Sequence, residues 1–174
     1  MCGFVGFSNF LKKPEIVLSN MLEKIVHRGP DDENHYIDDK MALGFRRLSI
    51  IDINGGRQPM FNEDKTKILV FNGEIYNAAE LRIKLIKNGH IFANNSDSEV
   101  LLHGYEEYDS EILTKLRGMF SFVIYDKKNS VLFGARDLFG IKPFYYYLNE
   151  NNFTTAKGGQ WRGNQVKRLV ALYS

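Results

Sequence analysis

The chain has 174 residues, 44% of them hydrophobic and 25% charged, a composition that suits one globular domain with a core of its own. Its formal net charge of +2 is unevenly spread: all 21 acidic residues precede position 151, while Lys157, Arg162, Lys167 and Arg168 follow it. The body therefore has no basic footprint for nucleic acid, and no run approaches the roughly 18 apolar residues of a membrane span.

The opening CGFVGFS, residues 2–8, reads as a buried strand. Pro14 then starts a helix whose Val17, Leu18, Met21, Leu22 and Ile25 share one face at 3.6 spacing. After the loop HRGPDDEN, short strands are predicted at Asn34–Ile37 and Met41–Phe45. RRLSIIDINGGRQPM reads as a further strand running into a Gly-Gly loop, and KILVFNGE as a strong strand ending in an Asn-Gly turn. Asn77 is the expected cap of a second helix, with Leu81 and Leu85 facing inward. Ser96-Asp97-Ser98-Glu99 has the spacing of a capping box for a third helix. Three strands follow: MFSFVIYD, VLFGARD and FYYYLN. MFSFVIYD is apolar on both faces, as a strand inside a layered structure must be. Strands and helices do not alternate regularly, so an α+β sandwich of mainly antiparallel sheets with covering helices fits best. Beyond residue 150 the pattern changes to a stretch with adjacent glycines and no acids.

Cys2 is the single cysteine, which excludes an internal disulfide and a cysteine-built zinc cage. The absence of disulfides suits a cytoplasmic protein, and no basic-then-apolar leader opens the chain. Once Met1 is removed, the thiol and a free α-amino group share one residue. An amine with a pKa of about 7.7–8.0 is a competent general base, so such a nucleophile carries its own base. By position alone, a small buried hydrophobe is an equally open reading. The four histidines are scattered, without catalytic or metal-ligand spacing. Asn72 and Gly73 sit where an amide and a backbone N–H can converge on an oxyanion, although a plain tight turn reads the same way. Arg46 or Arg47 offers a guanidinium fork for a carboxylate, and Asp97 in a first helical turn can hold an ammonium group or serve the helix alone.

Eight stretches occur in order: MCGFVGF, HRGPDD at 27–32, RLSIID at 47–52, QPM at 58–60, FNGEIYN at 71–77, NSDSEV at 95–100, RGMFSFVIYD at 117–126 and RDLFGIKPFYY at 136–146. Together they closely resemble the N-terminal glutaminase domain of glutamine-hydrolysing asparagine synthetases, the amidotransferase class with an N-terminal cysteine nucleophile. The resemblance implies the four-layer αββα sandwich of the N-terminal-nucleophile hydrolases. It implies that Cys2 attacks the side-chain amide of L-glutamine and that Asn72 and Gly73 hold the oxyanion. Arg47 would bind the substrate carboxylate, Glu74 and Asp97 its ammonium. Leu48, Ser49, Ile50 and Ile51 would line the pocket, with Gly55, Gly56 and Arg57 in a loop beside it. His27 and Arg28 resemble a structural motif.

The resemblance implies no metal or cofactor in this domain, ATP and magnesium belonging to a synthetase domain. It also implies a cytoplasmic enzyme and a homodimer in the full-length parent. The expected amidotransferase domain covers 1–153. Residues 154–174 depart from the family pattern and read as a tail from truncation or a shifted frame, which would leave a final strand or helix unformed. The chain shows no Ser-Gly-Gly-rich phosphate loop, so the ATP-pyrophosphatase partner domain is expected to be absent. Two other readings stay open: the glutaminase half of an amidotransferase with a sugar or cell-envelope acceptor, and a non-catalytic fragment.

Overall fold

A computed structural model describes residues 2–8, 12–48, 56–148, 153–156 and 167–168. One sheet, in spatial order β10-β8-β9-β1-β3-β2, is built from β1 (Gly3–Ser8), β2 (Asp32–Ile37), β3 (Met41–Arg47), β8 (Tyr145–Leu148), β9 (Phe153–Ala156) and β10 (Lys167–Arg168). The second, in order β4-β5-β6-β7, contains β4 (Met60–Phe61), β5 (Lys67–Ile75), β6 (Gly118–Asp126) and β7 (Val131–Arg136). Neighbouring strands within each sheet run antiparallel.

The side-chain period of two in β5 and β6 creates the layers. Leu69, Phe71, Phe120, Phe122 and Ile124 pack outward against the helices α2 (Ala78–Lys87) and α3 (Asp97–Tyr108), through Leu81, Leu85, Leu101 and Tyr105. The alternate residues Ile68, Val70, Val123 and Tyr125 face inward and meet Phe4, Met41, Leu43 and Phe45 of the first sheet. The far side of that sheet presents Val5, Phe7 and Ala42 to Leu18, Leu22 and Ile25, which belong to or directly follow helix α1 (Pro14–Lys24). The order is helix, sheet, sheet, helix. No helix among the described residues is long and apolar enough to cross a membrane.

Three local expectations change. Arg46 and Arg47 do not precede a strand; they end β3, where Arg46 lies opposite Glu33 of β2 and forms an ion pair with it. Asn77 precedes α2 without a side-chain cap. Its amide instead donates to the Lys115 carbonyl (2.8 Å) and its oxygen accepts the Arg117 N–H (2.9 Å), so long-range bonds outcompete the local one. One strand crosses the expected domain boundary: β9 runs across position 153 and pairs with both β1 and β8, with Phe153 buried. Half of the capping box holds. Ser96 accepts the Glu99 N–H (3.2 Å), but the Glu99 carboxylate reaches back to the N–H groups of Ala93 and Asn94.

Candidate active site

The site lies at one end of the layer between the sheets, and the contacts at the opposite end show which strand ends coincide. There, Tyr36 of β2 meets Phe61 of β4 at 5.7 Å and Tyr125 of β6 at 6.4 Å. Since β1 pairs with β3 from Gly3↔Arg46 to Ser8↔Met41, the start of β1 lies at the other end, above Asn72 of β5.

Cys2 directly precedes β1, half-buried against the inter-sheet core. Its sulfur accepts the Leu48 N–H at 3.5 Å, and the thiol faces the Leu48 carbonyl at 3.8 Å. Leu48 and Arg47 thus flank the thiol. Arg47, half-buried at the end of β3, has the same strand parity as Leu43 and Phe45 and continues their inward-facing row. Ser49, Ile50, Ile51 and Gly55 lie outside the described residues.

Asn72 has the inward parity of Ile68 and Val70 and is 5% exposed. Its amide nitrogen is buried with no hydrogen-bond partner among the described residues. A buried donor left without an acceptor costs about 1–3 kcal/mol, so this amide is available to a ligand oxygen or a water. Gly73 is required beside it: a Cβ there would fall 2.2 Å from the Met119 carbonyl. Glu74 is exposed on the Asn72 side of β5. Asp97, at the start of α3, accepts the Ile75 N–H at 3.0 Å. Burial raises the Asp97 carboxyl above its ordinary value and the negative charge of Glu74 adds to this, while N–H groups of Ile75 and Ser98 partly offset it. A cation beside these two acids would relieve both effects. Gly56, at φ +70, packs against Ser96 and Ser98, and Gln58 accepts the Phe71 N–H; Arg57 between them is exposed. The 56–58 segment therefore borders the same corner.

Two side chains at this end were not singled out by sequence. Ser121 and Arg136 lie on one cross-strand rung with Asn72, through Asn72↔Ser121 and Ser121↔Arg136. The Ser121 hydroxyl and Arg136 Nε are both buried and unpartnered among the described residues. Arg28 also buries Nε and Nη2 without a partner, and its Cβ lies 3.1 Å from where a Gly3 Cβ would stand. The available signal was weak: a lone serine in the apolar run MFSFVIYD, and an arginine just before the Asp137 turn. Asp137 itself is structural. Burial alone would raise its carboxyl, but N–H groups of Lys142, Ile141, Phe120 and Gly140 outweigh this and hold it below its ordinary value.

Residues 1–160 match the family model described as a glutamine amidotransferase domain. The chain belongs to this family. It is 51% identical over 153 residues to asparagine synthetase [glutamine-hydrolyzing] 1 of Bacillus subtilis (strain 168), covering 84% of this chain and 24% of that protein. It is 40% identical over 178 residues to asparagine synthetase B [glutamine-hydrolyzing] of Escherichia coli (strain K12), covering 99% of this chain and 30% of that one. The chain thus spans less than a third of the length of those relatives. Among solved structures, the glutamine phosphoribosylpyrophosphate amidotransferase of B. subtilis, complexed with ADP and GMP, superposes with a TM-score of 0.73 at 21% identity. It covers 89% of this chain and 41% of its own. That likeness is one of fold, and it agrees with the α+β sandwich of the N-terminal-nucleophile hydrolases.

Proposed function

We propose that the chain hydrolyses L-glutamine to glutamate and ammonia through a thioester on Cys2. The observation that carries this reading is the buried, unpartnered amide of Asn72 beside Gly73, at the end of the inter-sheet layer where Cys2 lies. Loss of Met1 frees the α-amino group of Cys2. That amine takes the thiol proton as sulfur attacks the side-chain amide carbon of glutamine, forming the C–S bond. The carbonyl π electrons move onto oxygen, where the Asn72 amide and Gly73 N–H stabilise the charge. Collapse breaks the C–N bond, and the ammonium of Cys2 returns the proton to the departing nitrogen as ammonia. Water then adds to the thioester, the same amine moving its proton, and glutamate leaves with the thiol restored.

In the proposed reaction Arg47 holds the substrate carboxylate and Asp97 with Glu74 its ammonium. Leu48 fixes the sulfur, and Ser49 to Ile51 belong to the pocket wall in this reading. No cofactor or metal enters the chemistry. The names of the relatives support asparagine as the destination of the ammonia, with a synthetase region as the acceptor partner. In this reading the catalytic unit includes β9, which pairs with the strand that follows Cys2.

Two measurements test it. Intact mass reports removal of Met1, and coupled assays report glutamate and ammonia in equal amounts. A retained Met1, or equal rates from wild type and Cys2→Ala, would sink the reading. Covalent capture of an electrophilic glutamine analogue at Cys2 separates a formed site from an idle one.

A further inference from the structure

A second cluster lies away from Cys2, on the helical side of the molecule. His103 of α3 is 3% exposed, Glu106 lies one turn further along, and His90 approaches from the segment after α2. His90 Nδ1 is 3.2 Å from His103 Nδ1, which is 3.0 Å from Glu106 Oε2. The third side, His90 Nδ1 to Glu106 Oε2, is 4.0 Å. The opposite ring nitrogens face carboxylates: His90 Nε2 is 3.1 Å from Glu107, and His103 Nε2 is 3.5 Å from Glu63 and 4.0 Å from Glu99.

With N–H at both Nε2 atoms, each of which faces a carboxylate, and the proton that His103 Nδ1 would otherwise give Glu106 displaced by an ion, a lone pair stands on each Nδ1. Two lone pairs and a carboxylate oxygen then point into one small space. A cation in that space would be met by all three atoms at once. A tetrahedral ion with bonds of about 2.0–2.2 Å needs ligand atoms about 3.4 Å apart, and 3.0, 3.2 and 4.0 Å bracket that separation. Carboxylates behind both imidazoles are the usual second layer of such a site. Asn62 steadies the remaining Glu106 oxygen at 2.7 Å, and the Phe92 ring covers His103 at 4.6 Å.

We propose that His90, His103 and Glu106 bind one divalent transition-metal ion, of which zinc is the best fit, as a structural clasp joining α3 to the segment after α2. Two imidazoles and one carboxylate suit zinc rather than magnesium or calcium, which take oxygen ligands. A water completes the fourth position. The sequence spacing hides the site, because His90 and His103 are brought together only by the turn between the two helices. Asp97 stands at the other end of α3, about 9 Å along the axis from His103 at 1.5 Å per residue, so the ion takes no part in the thioester chemistry.

The test uses the full chain, stripped with a chelator and titrated with zinc chloride by calorimetry. One zinc per chain is expected in wild type and equally in Cys2→Ala. His90→Gln and Glu106→Gln should each weaken binding at least ~10-fold. Zinc at a hundredfold excess over Kd should raise Tm by roughly 5–10 °C. In wild type, ring-nitrogen NMR should show zinc-dependent shifts at His90 and His103 but not at His27 or His35; this arm needs no variant to fold. Absence of uptake, uptake unchanged in His90→Gln, or loss of uptake in Cys2→Ala would overturn the proposal. So would ring signals of a proton shared between His90 and His103 that zinc leaves unmoved. Failure of the glutaminase assay leaves these outcomes unaffected.

Discussion

The two ends of the inter-sheet layer are built from the same strands and behave in opposite ways. At one end every polar group near the core is answered: the Tyr36 hydroxyl donates to Asp38 (2.5 Å), and Asp38 also accepts the N–H groups of Lys40 and Met41. Lys127 lies over the Tyr36 ring. At the other end Asn72, Ser121 and Arg136 bury polar atoms without partners among the described residues. Each of the three can donate a hydrogen bond, as expected of a region that receives an anionic group.

The strongest way to break the contrast is to remove the nucleophile. Cys2→Ala should lose at least ~10⁴-fold in glutaminase turnover while stability moves by less than about 1 kcal/mol, read by steady-state kinetics and denaturant titration. Next comes the oxyanion donor. Asn72→Ala should lower kcat by about 10²–10³-fold and leave KM nearly unchanged, because the lost bond forms only in the transition state. Asp97→Asn should act on binding, raising the KM for glutamine by roughly 10–100-fold. The same residue sets a pH dependence: its carboxyl is raised above the ordinary 3.8, so KM should climb as pH falls through that raised value and the acid becomes neutral. A KM flat across the acid range in wild type would disconnect Asp97 from the substrate ammonium. The smallest effect belongs to the satisfied end. Tyr36→Phe should cost about 1 kcal/mol of stability and leave kcat alone; a fall in kcat would show that the two ends communicate.

Much of this was readable from residue order. MFSFVIYD, apolar on both faces, reads as a strand inside a layered structure and KILVFNGE as a strong strand, and the two form the centre of the second sheet. Gly73 was legible as an oxyanion partner only through its motif; the steric need for glycine depends on Met119, a strand away. Ser121 and Arg136 were missed because their meaning comes from cross-strand register, which periodicity does not reveal. Asn77 was misread for a related reason. A capping residue is judged against its own helix, whereas its side chain bonds near position 116, on a distant segment. The strand at Phe153 was obscured by composition. FTTAKGG carries little apolar signal, and its place is secured by the open edges of β1 and β8.

That placement has a consequence for how the molecule is made. The strand following the nucleophile leaves the ribosome well before the segment near 155 with which one of its edges pairs. At about 5–20 residues per second, roughly eight to thirty seconds separate the two events. Until then β1 has β3 on one side and an open edge on the other. Closing so long a loop is the slow kind of contact formation. The thiol beside β1 thus reaches its finished setting only once that later segment has been made.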